Sequence, residues 1–312
     1  MTTFLIVLAV LAALVLLISY ICFRMAFYAS RKPENLADEF DIPESSIYGG
    51  FRELLVAWMK AAKALPHEDI TIRSFDGLEL WGTYFEYAPG APIEILFHGY
   101  RGHANREMSG AVRRCHSLGH SALIVDQRAC GRSGGHVITF GVNESRDCLA
   151  WIDYVLDRFG PDTRIILAGV SMGAGTVVMA AGRGLPKNVI GILADCGYTS
   201  PADIIKKVIA VDMHLTANLA YPFVQLGAKL FGGFNIDELS PIEAVKTTKV
   251  PILFIHGEED TFVPYEMSVQ CHEANPAATR LHPIPGAGHG LAYPVDQEGY
   301  LKAAREFFSP LE

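Results

Sequence analysis

An uncharged apolar run, FLIVLAVLAALVLLISYICF, fills residues 4–23. As a helix rising ~1.5 Å per residue it is about 30 Å long, the thickness of a bilayer's hydrocarbon core, so it predicts one transmembrane helix. Residues 24–66 read as a polar linker and then an amphipathic helix, with Phe51, Leu54, Leu55, Trp58 and Met59 at helical spacing and a stop at Pro66. Two β-like runs, 70–75 and 78–87, are joined through Asp76-Gly77, a strong hairpin turn. From residue 93 short apolar runs alternate with helical segments. Strands are expected at 93–97, 122–125, 164–168, 189–194, 252–255 and 280–284, and helices at 104–118, 144–159, 172–183, 265–273 and 297–308. Parallel strands covered by helices on both faces read as such continuous apolar runs. The pattern therefore predicts an α/β fold with one mostly parallel, doubly wound sheet, in a domain spanning 67–312. An interruption at 201–245, rich in Leu, Phe, Tyr and Ala and without a strand signal, is expected to form a small helical lid above the sheet.

Composition sharpens this picture. Half of the 312 residues are hydrophobic and 19 % are charged, which excludes intrinsic disorder, a coiled coil and a collagen-like chain. The net charge is −8, from 26 Lys+Arg against 34 Asp+Glu, and no basic run tracks a phosphate backbone, so no nucleic-acid partner is expected. Cys22, Cys115, Cys130, Cys148, Cys196 and Cys271 form no CxxC pair and read as small buried hydrophobes in a reducing compartment. The alternative to a retained anchor is a cleaved signal peptide. No Lys or Arg precedes the apolar run, the run exceeds the ~7–15 residues of a signal core, and no A-x-A site follows, so retention is expected. Arg24, Arg31 and Lys32 follow the span, which by the positive-inside rule puts the rest of the chain on the cytoplasmic side, although Glu34, Asp38, Glu39 and Asp41 come close behind.

Candidate chemistry gathers at the C-terminal ends of the expected strands, the edge where open α/β sheets carry their sites. Gly169-Val170-Ser171-Met172-Gly173 has the G-x-S-x-G form between a strand and a helix. A nucleophile on so sharp a turn needs small neighbours, and the following helix aims free N–H groups at developing negative charge. The alternative is a chance Gly-Ser-Gly loop, which the strand–turn–helix context disfavours. A serine needs a base, and the base an orienting acid. The loop after strand 252–255 offers Asp260, with Glu258 and Glu259 as alternative acids and helix capping as its bland role. The loop after strand 280–284 offers His289 between Gly288 and Gly290, a candidate base unless it is only a solvated loop histidine. The order Ser171, Asp260, His289 is that of the α/β-hydrolase triad. An oxyanion hole is expected from the backbone N–H groups of Tyr100, in the loop 98–102, and of Met172. The Tyr100 ring and Arg101 are candidate walls of the acyl pocket, with a plain surface charge as the other reading of Arg101. His98 is expected to support the loop. Cys115-His116 with His120 is a faint metal lead that lacks further ligands at zinc-like spacing, so no metal is expected.

Over residues 68–310 the chain resembles α/β-hydrolase-fold serine hydrolases, in particular N-terminally anchored, single-domain bacterial hydrolases with an esterase-like or prolyl-oligopeptidase-like core. The motifs that carry the resemblance are His98-Gly99, Asp126-x-Arg128-x-x-Gly131-x-Ser133, Gly169-x-Ser171-x-Gly173, His256-Gly257-x-x-Asp260 and Gly288-His289-Gly290. The Asp126 segment resembles a structural turn. The resemblance implies cleavage of esters, thioesters or amides without a metal or cofactor. Ser171 separates the chain from relatives that place Asp or Cys at the nucleophile position. The expected substrate is a small or lipid-like acyl ester. A peptidase or amidase, and a membrane-tethered binding protein without catalysis, are the alternatives.

Overall fold

The computed structural model describes residues 1–30, 42 and 47–311. Arg31 and Lys32, on which the orientation partly rests, lie outside the described residues, as do Glu34, Asp38, Glu39 and Asp41. The uncharged run becomes α1 (Thr2–Ala26), one turn longer at its C-terminal end than the apolar stretch itself. Among the described residues it is the one helix long and apolar enough to cross a membrane. The amphipathic stretch forms α2 (Arg52–Ala64), which packs on the domain through Trp58, whose ring lies 5.3 Å from that of Tyr293.

The hairpin runs pair as β1 (Glu68–Arg73) and β2 (Glu79–Phe85), antiparallel across the expected turn. The apolar runs then become β3 (Ile93–Phe97), β4 (Ser121–Val125), β5 (Ile165–Val170), β6 (Val189–Asp195), β7 (Ile252–Gly257) and β8 (Thr279–Ile284). They assemble with the hairpin into one sheet of order β1-β2-β4-β3-β5-β6-β7-β8, parallel from β4 onward. The residues of β3, β4 and β7 are all buried, because helices cover both sheet faces. β1, at the edge, is largely exposed. Alternate strand residues feed two cores. Ile95, Phe97, Leu123 and Leu167 pack under α5 (Glu144–Phe159) and α6 (Met172–Ala181), and Leu96, Ile124 and Ala168 pack under α2, α4 (Ser109–Leu118) and α12 (Gln297–Phe308). The helix expected over 104–118 is divided at Met108 into α3 (Ala104–Glu107) and α4, with the Ala104 amide pinned to Asp126 Oδ1 at 2.8 Å.

The strandless interruption is helical. It contains α7 (Pro201–Lys207), a π-helical turn at Val208–Asp212, α8 (Ala217–Phe231) and α9 (Pro241–Thr247). Ser200 and Ser240 cap α7 and α9 by accepting from the Asp203 and Glu243 amides, and each helix has Pro in its first turn. α9 joins the layer that covers the sheet, through Ala244 and Val245. α7 and α8 instead build a third cluster with the end of α1, which buries Phe23, Phe27, Ile204, Tyr221 and Val224 together with Met172. The remaining helices, α10 (Glu266–Ala274) and α11 (Ala292–Val295), follow β7 and β8.

Candidate active site

Ser171 stands between the last residue of β5 and the first of α6, at φ 56°, ψ −116°. A non-glycine residue holds such a backbone only where its surroundings enforce it, at a cost of ~1–3 kcal/mol. Here its N–H donates to the Asp195 carbonyl at 2.8 Å and its carbonyl accepts from the Gly175 N–H at 3.1 Å. The flanking glycines are required by space. A Cβ on Gly169 would run into the Gly173 backbone, and a Cβ on Gly173 into the Phe97 carbonyl.

The loops after β7 and β8 meet at this turn. His289 Nε2 lies 2.9 Å from Ser171 Oγ, and His289 Nδ1 lies 2.7 Å from Asp260 Oδ2. All three residues are buried. Asp260 Oδ1 accepts from the Phe262 and Val263 amides at 2.9 and 2.8 Å, and Oδ2 also takes His256 Nε2 at 3.2 Å. Burial pushes the Asp260 carboxyl up, but the hydrogen bonds from His256 and His289 outweigh it and hold the pKa at about 2. Asp260 is therefore an acceptor. His289 Nδ1 carries the proton that it donates, and Nε2 is left to accept from the serine hydroxyl. Glu258 and Glu259, the alternative acids, are exposed.

The loop after β3 approaches from the other side. His98 is fully buried; its Nε2 accepts from the Gln127 N–H at 3.0 Å, so Nδ1 donates to the Gly99 carbonyl at 2.7 Å. Gln127 Nε2 reaches the His98 carbonyl at 2.6 Å, and Glu107 Oε2 accepts the Gly99 N–H at 2.7 Å. His98 thus supports the loop. The Tyr100 and Met172 amides make no hydrogen bond to another described residue. The side chains of Tyr100 and Arg101 are turned toward α1. Tyr100 Oη donates to the Ala26 carbonyl at 2.8 Å, and Arg101 Nη2 donates to the Met25 and Tyr28 carbonyls at 2.8 and 3.1 Å. They satisfy carbonyls that a helix end leaves without partners.

His256, which the sequence offered only as part of a motif, and Ser268 extend the hydrogen bonds around Asp260, and Tyr48 lies beside the His289 loop. Val263 O can only accept, so His256 Nε2, 2.9 Å away, carries a proton, and Nδ1 accepts from Ser268 Oγ at 2.7 Å. Its place four residues before Asp260 was the available signal. Tyr48 comes from the chain ahead of α2, and a Cβ on Gly290 would lie 3.3 Å from its hydroxyl oxygen. No local pattern marks it. The faint metal lead resolves into other contacts. His120 Nδ1 is 2.7 Å from Glu94 Oε1, Arg114 Nη2 is 2.5 Å from Glu94 Oε2, and the His116 ring packs on Tyr87. Cys196 joins Asp260 and His289 within 4.8 Å, where burial raises its thiol pKa well above the ordinary range, while His289 Nδ1 and Nε2 are already engaged by Asp260 and Ser171.

Residues 139–310, more than half of the chain and including Ser171, Asp260 and His289, match the prolyl oligopeptidase family. The chain belongs to that family. Members of the α/β-hydrolase fold are also its structural neighbours. An esterase of Pyrococcus furiosus superposes with a TM-score of 0.66 at 24 % identity, covering 81 % of this chain and 93 % of that one. Among curated relatives, the uncharacterized protein YqkD of Bacillus subtilis is 26 % identical over 190 residues, 61 % of this chain and 62 % of its own length. Esterase LipC of Mycobacterium tuberculosis is 25 % identical over 282 residues, 83 % of this chain and 66 % of its own length. This prolyl oligopeptidase family member is thus an α/β hydrolase with a hydrogen-bonded serine, histidine and aspartate at the usual strand ends of the fold.

Proposed function

We propose that this chain is a serine hydrolase that cleaves carboxylic esters through an acyl-enzyme on Ser171. The observation that carries the reading is the continuous line from Ser171 Oγ through His289 to Asp260, at 2.9 and 2.7 Å. His289 Nε2 takes the hydroxyl proton as Ser171 Oγ attacks the ester carbonyl, while Asp260 orients the ring and stabilises the imidazolium. The Tyr100 and Met172 amides receive the tetrahedral oxyanion. His289 returns the proton to the leaving alcohol, and water then releases the acyl group by the same steps. The esterases among its relatives support the substrate class, and a lipid-like acyl chain suits a site whose loop touches an apolar helix. The family favours a second reading, hydrolysis of peptide or aminoacyl amides by the same residues. A panel of acyl esters and aminoacyl amides separates the two, and preference for the amides would reverse the order.

In this reading the chain has three parts: an anchor at 4–23, a linker and amphipathic helix at 24–66, and a catalytic domain at 67–312 with its lid at 201–245. Phe23 and Phe27 are buried against the domain, which favours a retained anchor over a cleaved leader. Arg24, Arg31 and Lys32 favour a cytoplasmic catalytic domain. The decisive experiment is labelling of the folded protein with a fluorophosphonate probe beside p-nitrophenyl ester hydrolysis. Ser171→Ala is expected to abolish labelling and to lower turnover by roughly 10⁴–10⁶-fold. Undiminished hydrolysis in that variant would overturn the assignment.

A further inference from the structure

α8 carries one apolar stripe, exposed at Leu219 and Leu230 and half-buried at Phe223 and Leu226. Leu219, Phe223, Leu226 and Leu230 recur at intervals of four, three and four residues, which sets them in a narrow row on the helix. Leu219 is 71 % and Leu230 52 % exposed, whereas Asn218, Gln225 and Lys229 gather on a separate polar row. On its other flank the apolar row borders the seam with α1. There Gly227 is so close to α1 that a Cβ would run into the Ser19 carbonyl, and the Phe231 ring meets Tyr20 and Phe23 at 5.2 and 6.0 Å. Small residues at such a crossing let two backbones approach closely.

The seam fixes a depth. If the uncharged run 4–23 fills the hydrocarbon layer, Ser19 lies four residues, about 6 Å, inside its boundary at Phe23. Gly227 touches Ser19, so the last turns of α8 lie at the same level, and the apolar row beside the seam then meets lipid rather than water. We infer that α8 enters the membrane beside α1 and that its Leu219–Phe223–Leu226–Leu230 row is a lipid-contacting surface. The inference rests on the reading of α1 as a retained membrane span. Its occupant is acyl chains, because the row is continuous with the exposed apolar surface of α1, where Leu11, Leu14 and Leu17 are also uncovered.

The test uses the full chain reconstituted in vesicles of dibrominated phosphatidylcholine, whose bromines quench tryptophan fluorescence at acyl-chain depth. Three single variants are compared with the parent and its three tryptophans: Leu230→Trp in α8, Leu14→Trp in α1, and Tyr87→Trp, which follows β2 at the sheet edge opposite Ser171. The expected result is quenching of Leu230→Trp as strong as that of Leu14→Trp, with Tyr87→Trp unquenched. Quenching at Leu14 alone would overturn the lipid contact and leave the anchor standing. Quenching at neither would overturn both. Equal quenching at Tyr87 would remove the face selectivity and overturn the inference. Disulfide capture between copies through Leu230→Cys, with Leu230→Trp unquenched, would give the row to a second copy instead.

Discussion

Replacing His256 with Phe tests whether Asp260 is held by design of the β7 loop or only by His289. The phenyl ring is larger than the imidazole, so no cavity opens, and any crowding it causes adds to the cost. It removes the Nε2–H that serves Asp260 Oδ2 at 3.2 Å and the Val263 carbonyl at 2.9 Å, and it removes the acceptor of the Ser268 hydroxyl. Losing a hydrogen bond to a carboxylate costs about 1.5–3 kcal/mol, and stranding the buried Val263 carbonyl about 1–3 kcal/mol more. The expected destabilisation is therefore about 2.5–6 kcal/mol, at the high end for a single substitution. Asp260 keeps His289 and two amides, so the chemistry survives in weakened form. A carboxylate displaced by ~1 Å can cost up to ~10²-fold in rate. Urea unfolding and the rate of fluorophosphonate labelling measure the two effects on one preparation. A variant within about 0.5 kcal/mol of the parent, the range of an ordinary surface change, and labelling at the parent rate would refute the clamp.

Further outcomes follow from the same geometry. Gly173→Ala drives a methyl into the Phe97 carbonyl and to 2.8 Å from that of His98, so it should cost about 1–3 kcal/mol by overpacking and depress ester hydrolysis, read by thermal unfolding beside a p-nitrophenyl ester assay. Asp260, with its pKa lowered to about 2, contributes stability that is present above about pH 4 and lost as the pH falls through about 2. The parent should lose on the order of 2 kcal/mol in that window, which Asp260→Asn should not, measured as unfolding free energy against pH. Tyr100→Phe should lose about 1 kcal/mol with its hydrogen bond to the Ala26 carbonyl yet keep most of its hydrolysis, because only the amide is assigned to the oxyanion; loss of activity matching Ser171→Ala would contradict that division.

Most of the sheet was legible because each central strand is an apolar run buried on both faces, and β3 falls on the expected 93–97 to the residue. The elbow was legible for a related reason: Gly169 and Gly173 are dictated by contacts within a few residues of Ser171 and across to β3. Periodicity carried no information on where long-range partners fall. An amphipathic stretch such as α2 suits a membrane surface as well as a domain, and the burial of Trp58, Met59 and Ala62 decides for the domain. The loop position makes Tyr100 and Arg101 candidate pocket walls, and no local pattern shows that their side chains also bind carbonyls about 75 residues earlier in the chain. His120 offers a faint metal lead in sequence because its partner, Glu94, lies on a strand where a buried carboxylate runs against the pattern; Arg114 compensates it.

The seam between α1 and α8 also sets an order of assembly. Ala26 ends the first helix and Ala217 begins the other, so about 190 residues separate them. At synthesis rates of ~5–20 residues per second, α1 waits roughly 10–40 s after its own completion before its docking partner exists. During that interval Phe23 lacks Phe231 and Phe27 has Phe140 but not Phe234, and on the anchor reading the bilayer shelters what the protein does not yet cover. The helix that is made first is thus among the last to find its place, and the third core cluster, with Met172 beside the nucleophile, closes only when α8 arrives.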